Sequence, residues 1–144
     1  AQAVRDELAE LDIAMRSFSP ADGSGLSRAD RVTTKTLVSI TRAAVDPRDP
    51  RLAAGCGTSS DRIAGKTGTL GSRFRDRATS CAAGRIMAKT GTLSDVVALS
   101  GITSSTDGKL RAFAIVVNNK PSWASIDATR AGVDRIATAI TGCR

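Results

Sequence analysis

The chain has 144 residues, 41% hydrophobic and 24% charged, with three Phe, one Trp and no Tyr, which is about the size of one domain with an aliphatic core. No run approaches the roughly 18 apolar residues of a membrane span, and with no His and only three scattered cysteines there are too few ligands for a zinc site. A net charge of +7 admits nucleic acid as a partner, but the arginines are spread along the chain and there is little aromatic surface for bases to stack on. We therefore expect no nucleic acid partner. An anionic cell envelope, or simply a solvated basic surface, accommodates the charge as well. No cofactor or metal is expected. No secretory signal is visible and the chain begins with Ala1, as a processed protein or an excised piece would.

Taken in order, residues 2–14 place Val4, Leu8, Leu11 and Met15 on one helical face. A loop rich in Gly, Ser, Asp and Pro follows, SPADGSGLSRAD. Thr33 to Val45 predicts a second helix with Leu37, Ile40, Thr41 and Ala44 inward, stopped at Asp46-Pro47 because the residue before proline avoids the helical region. Residues 46–83 are irregular and too long for a passive connection. Cys56 and Cys81 lie within it and flank one long loop. A disulfide between them would close about 26 residues, contribute roughly 3 kcal/mol and require an oxidising compartment. Three free thiols are the alternative, and Cys143 is left over either way. Three strands come next: Arg85 to Thr90, Val96 to Thr103 and Leu110 to Asn118. Asp107-Gly108 is the tight turn of a hairpin joining the last two. Ser125 to Thr141 then predicts a helix with Ile126, Thr129, Val133, Ile136, Ala137 and Ile140 on one face. The fold class is α+β, helices on an antiparallel sheet.

The sequence KTGT occurs twice, at Lys66–Thr69 and Lys89–Thr92. The second copy ends a predicted strand, and such a strand can pair with an extended peptide. Gly91 has no Cβ and lets a ligand's backbone approach. Thr90 and Thr92 offer hydroxyls to a carboxylate, Lys89 supplies positive charge in a partly buried cleft, and the Thr92 N–H can serve as an oxyanion donor in acyl transfer. The first copy lies in a Gly-rich loop. It is no phosphate-binding P-loop, because the glycine required before Gly65 is Ser60, and Lys66 is expected to be structural.

These segments resemble a known family. Asp22 to Arg28 (DGSGLSR), Ile63 to Phe74 (IAGKTGTLGSRF) and Ala88 to Leu93 (AKTGTL) are similar, in order, to three stretches of the class C low-molecular-mass penicillin-binding proteins. These are D-alanyl-D-alanine carboxypeptidase/endopeptidases of the penicillin-binding protein 4 type. The resemblance covers nearly the whole chain. It implies a β-lactamase/transpeptidase-like fold and a serine-type peptidase that acts outside the cytoplasm on peptidoglycan stem peptides and is acylated by β-lactams. It also implies three motifs, SxxK, SxN and KTG. Carried over, Lys89 and the Thr92 N–H would be catalytic, Thr90, Gly91 and Thr92 would hold the substrate, and Leu26 and Leu93 would line the groove for the stem-peptide side chain. Plain packing is the other reading for the two leucines.

The departure from the family is as informative. No serine is followed by lysine three positions on, and Asn118 and Asn119, the only asparagines, have no serine two positions before them. Residues 1–144 are therefore expected to be the C-terminal portion of the penicillin-binding domain. The SxxK and SxN part would be the partner, and this chain alone would be inactive. A non-catalytic envelope-binding module, and a related β-lactamase or esterase of the same fold, are the alternatives.

Overall fold

The computed structural model describes residues 1–46 and 62–143. The chain runs as helix α1 (Gln2–Glu10), helix α2 (Thr34–Ala44), strands β1 (Ile86–Thr92), β2 (Val97–Ser104) and β3 (Leu110–Val117), and helix α3 (Ile126–Ile140). Single 3-10 turns at Gly68–Leu70 and Ser80–Ala82 interrupt the segment before β1. The α+β architecture expected from the sequence is present.

The strands form an antiparallel meander in the order β1-β2-β3. Register partners across such a ladder share a face. Thr90 lies opposite Leu99, which lies opposite Ile115, while Lys89 lies opposite Ser100, which lies opposite Ala114. Ile86, Ala88, Val97, Leu99 and Phe113 form the core on one face with Val133 and Ala137 of α3. On the other face α2 packs over β2 and β3, with the Thr41 hydroxyl 3.3 Å from that of Ser100. The sheet is thus a middle layer between two helices, and each side is sealed by a stripe of alternate residues.

Helix α2 starts where its cap dictates: the Thr33 hydroxyl accepts the Thr36 N–H at 3.1 Å. Of the four positions expected inward, Thr41 and Ala44 are buried and Leu37 and Ile40 are half-buried. Helix α3 is capped by Ser125, which accepts from Asp127 and Ala128. Its buried stripe runs through Val133, Asp134, Ala137 and Thr138. Ile136, expected on that face, is 50% exposed, because the stripe turns toward a buried ion pair made by Asp134. Helix α1 ends at Glu10 rather than near residue 14, as Asp12 takes a left-handed conformation with φ 53. Leu8 and then Ile13 are buried, whereas Val4 is 40% exposed.

The expected Cys56–Cys81 disulfide is corrected. Cys81 pairs with Cys143, Cα atoms 6.0 Å apart, and Cys56 lies outside the described residues. The reason is packing: Ser80–Ala82 lies under the C-terminal end of α3, with Ala82, Val133 and Ala137 in one core. The leftover cysteine is therefore brought to Cys81 by the helix, not by the loop that flanks it.

Gly101 carries a steric demand. It sits opposite Ala88, and a Cβ there would lie 2.1 Å from the Met87 carbonyl oxygen and 2.6 Å from the Ala88 Cβ. Gly101→Ala is expected to cost about 3 kcal/mol and to displace the strand carrying Lys89. Chemical denaturation would measure it, and a variant as stable as the parent would mean that β1 has room to move away.

Candidate active site

The pleat of β1 divides the second KTGT copy between two faces. Lys89 shares the face of Ser100, toward α2, while Thr90 shares the face of Leu99, toward α3. Gly91 and Thr92 follow the same alternation. Lys89 is exposed rather than partly buried, and its ammonium donates to the Thr90 carbonyl at 2.6 Å. Among the described residues, pairing on the outer edge of β1 stops at a bridge between Ile63 and Met87, so no strand covers the edge from Ala88 to Thr92. Among the described residues, a Cβ at Gly91 would meet only the Ala98 Cβ, at an ordinary 3.4 Å. The fold does not itself demand glycine there, and the space it leaves opens outward.

On the α3 side the two KTGT copies meet. Thr69 and Thr90 place their hydroxyls 3.2 Å apart. Arg130, in the second turn of α3, donates to the Thr92 hydroxyl at 3.4 Å and to Asp127 at 3.1 Å. Together with Ser72 and Arg73 these residues line an open groove of about 650 Å³. Arg73 fixes its base with a two-point ion pair to Asp134, at 3.0 and 2.5 Å, both side chains almost fully buried. Lys66 lies away from this groove, with its Cε 3.1 Å from the position a Cβ on Gly84 would take.

The DGSGLSR loop is wound around one carboxylate. Asp22 accepts the N–H groups of Ser24 and Gly25 at 2.9 Å and of Ser27 at 3.1 Å. Desolvation, the largest single effect, would raise its pKa, but those N–H groups and the Ser24 hydroxyl together outweigh it and hold the carboxyl below its ordinary 3.8. Arg28 then ties the loop to the β1–β2 turn, donating to Ser94 at 2.7 Å and to Asp95. This bond and the guanidinium charge hold Asp95 below 3.8. Leu26 is 66% exposed at the loop, and Leu93 is half-buried in the turn, so the Arg28 tie brings the two leucine-bearing segments together.

A carboxyl whose pKa is depressed in the folded chain stabilises it above the ordinary value and loses that contribution as pH falls through the depressed one. The Arg28–Asp95 tie is therefore expected to persist from neutral pH down to 3.8 and to open only below it. The carboxyl carbon shift of Asp95 in an NMR titration reads this directly. An Asp95 that titrates at its ordinary value would mean that the tie does not hold in solution.

Thr69 and Arg130 were not identified as site residues from the sequence. Thr69 had a signal, since it closes the first KTGT copy, and its partner Thr90 is in the second. Arg130 had none, because 38 residues separate it from Thr92.

The solved structure of penicillin binding protein 4 from Haemophilus influenzae, in complex with a β-lactam, superposes with a TM-score of 0.81 at 25% identity, over 99% of this chain and 32% of that one. Carboxypeptidase DacB of Mycolicibacterium smegmatis is 33% identical over 98% of this chain and 29% of its own length. The D-alanyl-D-alanine carboxypeptidase of Actinomadura sp. (strain R39) is 37% identical over 80% of this chain and 21% of its own. The model of the D-Ala-D-Ala carboxypeptidase 3 (S13) family matches residues 1–140, and the chain belongs to that family. It spans less than a third of the length of these relatives.

Proposed function

We propose that this chain is the KTG-bearing part of a serine-type D-Ala-D-Ala carboxypeptidase/endopeptidase that acts on peptidoglycan stem peptides outside the cytoplasm and is acylated by β-lactams. The observation that carries the reading is the uncovered edge of β1 ending in Thr90 and Thr92, whose hydroxyls face a groove that Arg73, Arg75 and Arg130 also line. A stem peptide adds as a further strand along Ala88 to Thr92. The Thr90 and Thr92 hydroxyls take its terminal carboxylate, and the Thr92 N–H donates to the oxyanion as the acyl bond forms. Lys89, on the other face of the same strand, supplies positive field to the nucleophile's side of the scissile bond. Leu26 and Leu93 contact the stem-peptide side chain. The nucleophile and its general base come from residues carrying SxxK and SxN, which these 144 residues do not contain. Extracytoplasmic location agrees with the Cys81–Cys143 disulfide.

The missing SxxK and SxN favour one second reading, a non-catalytic module that keeps the sheet edge for binding envelope peptides. Incubation of the native protein with a fluorescent penicillin, followed by denaturing electrophoresis and peptide mass mapping, separates the two. Label on a serine outside Ala1–Arg144 supports the peptidase. Label on a serine inside it would remove the division of labour proposed here, and no label at all would favour the binding module.

A further inference from the structure

The groove beside Thr92 holds an arginine whose ties are weak. Arg130 and Asp127 form an ion pair three residues apart on α3, with the Arg130 side chain 40% exposed and that of Asp127 87% exposed. Exposed pairs of this kind contribute little and yield readily to a competing anion. Arg75 also lines the groove, but among the described residues it is Arg130 that reaches Thr92; Arg73, in the same groove, is differently placed. Its guanidinium is bound at two points to Asp134, with side-chain exposures of 13% and 9%, and a ligand cannot draw on it without leaving a buried carboxylate unpaired.

The hydrogen bond to Thr92 gives Arg130 a second effect. A hydroxyl has one proton to donate and two lone pairs. With one lone pair taken by the Arg130 N–H at 3.4 Å, the Thr92 proton is left available to an acceptor in the groove. An incoming carboxylate then meets a hydroxyl donor and a guanidinium side by side, matching its two oxygens. A C-terminal amide offers one oxygen and an NH2 group, and the NH2 would face the guanidinium donor to donor.

Resting on the reading above, we propose that Arg130 is a specificity-determining residue that selects ligands bearing a free carboxylate on the residue next to the scissile bond, acting jointly with the Thr92 hydroxyl.

The test uses the complete enzyme with Arg130→Gln, Arg130→Lys and, as a charge-loss control on the exposed side of α3, Arg135→Gln. Each is assayed on an acyl-Lys-D-Ala-D-Ala peptide and on the same peptide with its C-terminus amidated. Arg130→Gln is expected to lower kcat/KM for the free acid by roughly tenfold or more, as loss of a hydrogen bond to a charged group does. The change should fall mainly in KM and leave the amide unaffected, so the preference for the acid shrinks. Arg130→Lys should recover part of it, and Arg135→Gln should match the parent. An unaltered acid-over-amide preference, or an equal fall on both peptides, would overturn the inference, the latter pointing to a structural role at the start of α3. A parent enzyme that cleaves neither peptide and takes no penicillin label fails differently, removing the peptidase reading itself and this inference with it.

Discussion

Alanine at Lys89 of the complete enzyme is expected to slow acylation by penicillin by roughly 100-fold or more, the scale on which one preorganised charge or donor contributes to acyl transfer. The fold should survive. Lys89 is exposed, and among the described residues its ammonium makes one bond, to the carbonyl of the next residue, so truncation opens no cavity and orphans no buried partner there. Rapid-mixing acylation rates set beside thermal melts would check both halves of the expectation. The repeated motif supplies an internal control. Lys66→Ala, which removes a lysine packed near Gly84 on a separate loop, should acylate at the parent rate. If Lys89→Ala acylates normally, the role given to Lys89 is wrong. If Lys66→Ala is equally slow, the first KTGT copy carries the function instead.

Breaking the disulfide should have the largest effect on stability. Cys81 and Cys143 are 62 positions apart, and closing a loop of that length is worth about 4 kcal/mol on the chain-entropy model. Cys81→Ser is therefore expected to lower the unfolding free energy by an amount of that order. Local order should suffer with it, since the bridge holds the end of α3 against the turn before β1. That end is also held by a 2.8 Å bond between the Thr103 and Thr141 hydroxyls and by Ser105 donating to the Thr141 carbonyl. The variant should consequently fold, with less stability. Non-reducing peptide mapping should recover Cys81 and Cys143 in one linked species. A Cys81 peptide linked to Cys56 would overturn the pairing, and a Cys81→Ser variant of unchanged stability would mean that the packing alone secures α3.

Much of the fold was legible because its signals are local. The apolar run from Ile115 to Val117, the Asp107-Gly108 turn and the Ser125 cap each act within a few residues, and each specified its element to within a residue or two. The burial of Ile136 was misjudged because periodicity treats a helix face as apolar. Here the buried face passes through Asp134, which is tolerated only because Arg73 pairs with it at two points. That pairing spans 61 residues and leaves no trace in a local window. The disulfide was misassigned for a related reason. Spacing suggested the cysteines flanking a loop, whereas proximity was decided by where α3 ends.

The order of the elements, the position of the KTGT strand and membership of a peptidase family could all be read from the sequence, because periodicity, turn chemistry and motif order are properties of neighbouring residues. Only the tertiary structure decided which side chains share the groove. The pleat of β1 sends Lys89 to one face and Thr90 to the other. The packing of α3 then adds Arg130, and the loop before β1 adds Thr69. Such meetings are set by how layers stack over a common core, and stacking joins residues whose separation along the chain carries no information about their distance in space.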